Sequence, residues 1–370
     1  MTKARYIMIG GFLGAGKTTA VLKLAEHLTA QGLRVGLITN DQSVGLVDSA
    51  MLAAHGFAVE EITGGCFCCK FNSLLDAASK LSADTRPDVF LAEPVGSCTD
   101  LKASVSYPLR RMYGDDFSVA PLSVLIDPVR CLRVLGLEPG KAFSPKVVYV
   151  YTKQLEEAEF IVINKIDLVS EERRSALRNA LADRFPKAKV FEVSARHGDG
   201  LESWFTALSD TNLGSAPTMD VDYEVYAEGE ALLGWLNCTV SVWGDEPTDG
   251  NALVSALGKR IQEAVDSGHG EIAHLKMTLA PDEGNDIAVL NVVRNDQGPE
   301  MSHRLAGPLT RGELVINLRA ETDPEKLDAA VTESLANVVS GQTGGWSYRI
   351  EHKEFFRPGK PEPTYRYAEA

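Results

Sequence analysis

Two short runs hold the residue types and spacings that do chemistry. GGFLGAGKTT (residues 10–19) follows an apolar run, RYIMI (5–9), and precedes VLKLAEHL at helical spacing. From Gly11 it reads G-x-x-x-x-G-K-T, closed by Gly16, Lys17 and Thr18. Gly11, Gly14 and Gly16 permit backbone angles that turn successive N–H groups inward as an anion-binding nest, which takes in Ala15 and Thr19. Lys17 is expected to reach the outer phosphates of a nucleotide and the Thr18 hydroxyl to ligate Mg²⁺. The second run, GGCFCCK (64–70), sets Cys66, Cys68 and Cys69 within four positions, half of the chain's six cysteines. Three thiolates on one loop give a soft metal ion three ligands, at roughly 2.3 Å for zinc. Unligated buried thiols or a redox pair are the alternatives.

Further elements must position these groups. EFIVI (159–163) ends in Asn164-Lys165-Ile166-Asp167. A carboxylate at 167 accepts hydrogen bonds from guanine N1–H and the N2 amino group, a donor pair adenine lacks, so the expected nucleotide is GTP. Lys165 is placed over the base, Asn164 ties this loop to the phosphate loop, and Ser194-Ala195 after the strand 189–193 offer backbone to the guanine carbonyl. PDVFLAEPVG (87–96) is an apolar strand ending in Glu93, with Gly96 three residues later. Glu93 is the candidate for the outer shell of Mg²⁺ or for positioning water, and the Gly96 N–H for sensing the γ-phosphate. Asp127, at the end of PLSVLID, reads as structural, and His55 and His197 as ordinary loop histidines.

Taken together, GGFLGAGKT, ITNDQSVGLVD (38–48), GGCFCCK, Glu93-x-x-Gly96 and NKID resemble the CobW-like GTPases, relatives of the nickel-inserting GTPases of urease and hydrogenase maturation. The resemblance covers roughly residues 4–210. It implies metallochaperones, or GTPases that assist metal- or corrinoid-dependent enzymes. Asp41 stands where the family has an acidic residue, usually glutamate, and with water or a partner is a candidate for the fourth metal position. Zn²⁺ or Co²⁺ is the expected cargo and a client metalloenzyme or corrinoid-dependent enzyme the expected partner. A homodimer is a candidate assembly. The chain lacks the histidine-rich stretch of many members.

At 370 residues two domains are expected. Strand-like runs near 5–9, 34–39, 88–92, 121–126, 159–163 and 189–193, separated by helix-like stretches, predict an α/β P-loop fold with a doubly wound, mainly parallel sheet over 1–210. DTNLGSAPTMD (210–220) reads as a linker, 221–357 as a smaller α+β, ferredoxin-like domain, and 358–370 as a loose tail. In the first strand of the second domain Leu236, Cys238, Val240 and Val242 share one face; Trp235 and Trp243 lie on the other, as a solvated face or a client-docking surface. A formal net charge of −14 argues against general nucleic-acid or anionic-membrane binding. MTKARYIMIGGF does not read as an export signal, so a reducing cytoplasm is the expected compartment. The rival readings are a reactivase for a corrinoid enzyme, with structural cysteines, and a P-loop small-molecule kinase. NKID argues against the kinase.

Overall fold

The computed structural model describes residues 3–40, 52, 55–83, 86–284 and 286–369. Its described residues form two compact units, one running to Gly229 and taking back the chain from Lys360, the other spanning Glu230–Gly359.

The first unit is built on a parallel sheet. Its strands are β1 (Ala4–Gly11), β2 (Val35–Asn40), β3 (Ala58–Ile62), β4 (Val89–Glu93), β5 (Phe117–Val119), β6 (Ser123–Ile126), β7 (Phe160–Ile163) and β8 (Lys189–Glu192). They lie in the order β3-β2-β4-β1-β6-β7-β8, with β5 also paired to β1. Apolar runs such as VFLAE and FIVI are buried throughout, as strands covered by helices on both faces must be. Ile7, Ile9, Leu37, Leu91, Leu125 and Val162 pack with Leu24 and Leu28 of the helix Lys17–Ala30 and with Trp204 of the helix Leu201–Asp210. Register sets Thr39 beside Glu93 and Asn40 beside Ile62. The carboxyl ends of β1, β2, β3, β4, β6 and β7 therefore share one edge. From β1 the chain runs through β2, β3 and β4 on one side and, after β4, through β6, β7 and β8 on the other, which makes that edge a topological switch point.

Two strands of this sheet, β3 and β5, were not expected. AVEEI breaks its apolar residues with two adjacent glutamates and is only partly buried on the sheet's edge, and FSV is three residues long, so neither gives a clear hydropathy signal.

The second unit is antiparallel: β9 (Leu233–Thr248), β10 (Glu271–Pro281), β11 (Ala288–Val292), β12 (Glu300–His303), β13 (Leu309–Glu321) and β14 (Ser347–Phe356), ordered β12-β11-β10-β13-β9-β14. The order β14-β9-β13-β10, with the helices Gly250–Ser267 and Pro324–Val338 after β9 and β13, is a ferredoxin-like βαββαβ core that β11 and β12 extend. Leu236, Cys238, Val240 and Val242 join the core with both helices, as the alternation predicts. The opposite face departs from expectation at Trp235. That ring is fully buried, the Arg319 guanidinium lies 4.0 Å from its centroid, and Phe356 packs beside it. Trp235 is a structural anchor and offers nothing to a partner. Trp243, His274 and Lys276 are half-buried.

The segment expected as a loose tail also differs. Tyr367 donates its N–H to the Ala103 carbonyl at 2.9 Å, and Thr218 donates to that of Ala368 at 2.9 Å, so residues of this tail are bonded into the first unit.

Candidate functional site

The phosphate-loop run leaves β1 with φ of 127° at Gly11, 77° at Gly14 and 90° at Gly16, values that side-chain-bearing residues rarely adopt. Space enforces glycine as well. A Cβ at Gly11 would stand 2.2 Å from the Leu125 carbonyl oxygen, and one at Gly16 would stand 2.5 Å from Asn164 Nδ2. Gly16 then opens the helix that carries Lys17, Thr18 and Thr19.

Groups far apart in sequence converge on this loop. Thr18 Oγ1 donates to Glu93 Oε1 at 3.0 Å, and both side chains are buried. Asn164 Nδ2 donates to the Ala15 carbonyl at 2.9 Å while its Oδ1 accepts the Ala195 N–H at 2.9 Å, so one amide joins three loops. Lys165, at φ 55°, lays its ammonium 2.7 Å from the Gly14 carbonyl and 3.1 Å from Asp127 Oδ2. Asp127 also caps the helix Pro128–Val134 through the Arg130 N–H, the structural role expected of it. The Ser194 hydroxyl donates to Asp167 Oδ1 at 2.6 Å, and His197 Nε2 lies 3.9 Å from Asp167 Oδ2. Gly96 lies against the loop's apex: a Cβ there would meet the Leu13 nitrogen at 3.0 Å and the Leu13 side chain at 2.8 Å.

The cysteine loop hangs from the same sheet edge. Asn40, the last residue of β2, donates to the Ile62 carbonyl at 2.9 Å and to the Gly65 carbonyl at 2.7 Å. Gly64 at φ 74° and Gly65 at φ 150° then turn the chain. The Cys69 and Lys70 amides both return to the Cys66 carbonyl, closing a tight turn before the helix Phe71–Leu81. Its sulfurs stand 2.7 Å (Cys66–Cys68), 3.3 Å (Cys66–Cys69) and 3.6 Å (Cys68–Cys69) apart. All three thiols are free; a disulfide would need about 2.05 Å. Three sulfurs around a tetrahedral zinc ion would stand about 3.8 Å apart, given ~2.3 Å bonds. The triangle therefore needs to open by about 1 Å at most, along Cys66–Cys68.

Electrostatics also prepares the cluster. Hydrogen bonds from Cys68 and Cys69, and another from Cys98 on the loop after Glu93, hold the Cys66 thiol well below the ordinary thiol range. The same interaction pushes Cys68 well up and Cys69 to about 11. Whichever of these thiols ligates a cation must lose its proton as the cation binds. These residues can hold a metal ion. Asp41, the other expected donor, lies outside the described residues.

The model of the family described as CobW/HypB/UreG, nucleotide-binding domain, matches residues 5–192. The chain belongs to the CobW/HypB/UreG family. Among its relatives, the zinc chaperone YeiR of Escherichia coli is 31% identical over 172 residues, covering 46% of this chain and 49% of that protein. The zinc chaperone CobW of a Sinorhizobium species is 28% identical over 213 residues, covering 52% and 59%. The match thus spans about half the length of these curated relatives. The hydrogenase maturation factor HypB of Archaeoglobus fulgidus, a solved structure, is 20% identical with a TM-score of 0.41, covering 56% of this chain and 89% of that one.

This CobW/HypB/UreG chain carries site neighbours that its motifs do not announce. Arg130 Nη1 donates to the Leu13 carbonyl at 2.9 Å, and its guanidinium sits 5.5 Å from the Phe12 ring and 5.0 Å from Phe143. Phe12 lies within the phosphate-loop run, whereas its arginine partner, 118 positions later, carries no local signal.

Proposed function

We propose that this chain is a Mg²⁺-dependent GTPase that takes up a transition metal ion, Zn²⁺ or Co²⁺, at Cys66, Cys68 and Cys69 and passes it to a client metalloenzyme. The supporting observation is Asn40, which fastens the cysteine loop to the strand edge that carries the phosphate loop and Glu93. Two relatives are named zinc chaperones, which favours zinc as cargo.

The roles follow from placement. The amides of Gly14 through Thr19 and the Lys17 ammonium would cradle the phosphates, with the Gly96 amide close to the γ-phosphate. Thr18 and Glu93 would hold Mg²⁺, which neutralises charge on the transferring phosphoryl group. Asp167, oriented by Ser194, would accept from guanine N1–H and the N2 amino group, with Ala195 and Lys165 completing the base site. Asp41 is retained as the fourth metal donor, and the cytoplasm as the compartment. Hydrolysis would rest on fixed dipoles and positive charge aimed at the phosphates.

Co²⁺ titration of the purified protein, followed by its thiolate absorption, tests this reading. Affinity is expected to be greater with GTP and Mg²⁺ than with GDP, by about 1–3 kcal/mol of coupling. Identical affinities would leave the cluster structural, and equal binding of ATP and GTP would remove the guanine assignment.

A further inference from the structure

The chain's last residues return to the cysteine loop. Glu362 donates its backbone N–H to the Cys69 sulfur at 3.2 Å. Thr364 donates its N–H to the Cys68 carbonyl at 2.8 Å and its hydroxyl to the Cys69 carbonyl at 3.0 Å. The Tyr365 ring meets Phe71 edge-on, with centroids 5.3 Å apart, where the loop enters its helix. Arg366 then donates to Asp100 Oδ2 at 2.7 Å and to the Met219 carbonyl at 3.2 Å.

Asp100 is the far end of this attachment. It is 1% exposed, sits at φ 61° four residues after Gly96, and also accepts the Tyr223 hydroxyl at 2.6 Å. A buried carboxylate in a strained backbone conformation needs both donors, so the Arg366 contact is not an incidental surface pair. An N–H donated to a thiolate lowers the sulfur's electron donation and directs its lone pairs, as groups beyond a metal's own ligands commonly do. Bonds to two successive cysteine carbonyls fix the backbone from which two of the three sulfurs project.

We propose that residues 361–368 are a strap that completes the metal site, with Glu362 and Thr364 positioning Cys68 and Cys69 and Arg366 latching the strap to the loop after Glu93. It rests on the metal reading above and adds that cargo leaves only when the strap lifts. The latch at Asp100 supplies the route by which the nucleotide-facing loop influences release.

The test uses the full chain with three single substitutions. Thr364→Pro removes both bonds to the cysteine carbonyls, Glu362→Pro removes only the bond to sulfur within PEP, and Arg366→Ala opens the latch. In metal-free protein, alkylation of Cys69 by iodoacetamide, mapped by mass spectrometry, reads the cover directly. In Co²⁺-loaded protein, release to a chelator and the thiolate charge-transfer band read the site. Thr364→Pro and Arg366→Ala are expected to speed both alkylation and release by about tenfold or more, the effect of losing one or two hydrogen bonds, with GTP affinity unchanged. Glu362→Pro is expected to move the charge-transfer band to longer wavelength. Wild-type alkylation, release and absorption in the variants, at wild-type melting temperature, overturn the strap. Glu362→Pro, at an exposed residue away from Asp100, decides through the charge-transfer band if Thr364→Pro fails to fold. Should the wild type take up no Co²⁺, the metal reading falls, and alkylation alone decides the strap.

Discussion

Asn40 Nδ2 stands 2.7 Å from the Gly65 carbonyl, one residue ahead of the first cysteine of the metal loop. The same nitrogen reaches Ile62, so both hydrogens of one buried amide are spent on holding the cysteine loop to β2. Asn40→Asp replaces this donor with an acceptor facing two carbonyls. It is expected to cost about 2–3 kcal/mol, as a buried polar group set against its own kind, and to weaken Co²⁺ binding in parallel. Chemical denaturation and a chelator competition on one preparation measure both. Unchanged metal affinity in the destabilised variant would show that the loop keeps its shape without this tie.

Asp167 is oriented by Ser194 rather than by a buried cation. Asp167→Asn is expected to weaken GTP and favour xanthosine triphosphate, whose C2 carbonyl an amide can pair with. The wild type should prefer GTP over ATP by about 10²-fold or more, given the cost of leaving that carboxylate unpaired. Ser194→Ala should reduce the preference without abolishing it. Calorimetric titration with the three nucleotides checks the set.

Legibility from sequence followed how local each interaction is. Gly11, Gly14, Gly16 and the cysteine triplet declare themselves because their chemistry is fixed within a few residues. Asn164 and Asp167 were legible because a strand of four apolar residues leads into them. Arg130, whose work is done on Leu13 and two aromatic rings, has no sequence neighbour that implies it. The strap is hidden for a stronger reason. Its bond to Cys69 comes from a backbone N–H 293 residues away, in a Pro-rich run that by composition looks unstructured. Trp235 shows the opposite limit: alternation assigned its face correctly, but nothing local shows that Arg319 and Phe356 enclose it.

Gly96 lacks a side chain because the phosphate loop occupies the space. An added Cβ would lie 2.9 Å from Leu13 Cγ and 3.0 Å from the Leu13 nitrogen, and the backbone nitrogen cannot swing away as a side-chain end can. Gly96 is also held from behind, its carbonyl accepting Gln154 Nε2 at 3.0 Å. Gly96→Ala is therefore expected to displace Leu13 and reduce GTP affinity by about tenfold, with strain of 1–3 kcal/mol shared between the two loops. Fluorescent GDP and GTP analogues compared on the variant would show whether the loss falls more heavily on the triphosphate. Equal, wild-type affinities would mean that the loops separate without cost.

Glu157 makes the first unit sensitive to pH. Its Oε1 accepts the Thr99 hydroxyl at 3.3 Å and its Oε2 the Lys102 N–H at 3.0 Å, behind the loop that carries Asp100. Burial, with the Asp100 charge adding to it, pushes this carboxyl from the usual 4.5 to about 8. Folding therefore takes up a proton between these values. The stability that goes with neutral Glu157 is complete below about 4.5, declines as pH rises towards about 8, and changes little beyond. The decline amounts to about 1.4 kcal/mol per pH unit within that window, by the linkage between one proton and one pKa unit. Glu157→Gln keeps an acceptor for the Lys102 N–H and presents an amide N–H₂ that the Thr99 oxygen can accept. The variant is expected to melt higher than wild type at pH 8 and to lose most of the slope between pH 5 and 8. Thermal midpoints of the two proteins across that range decide it. Parallel profiles would assign the pH dependence to other groups.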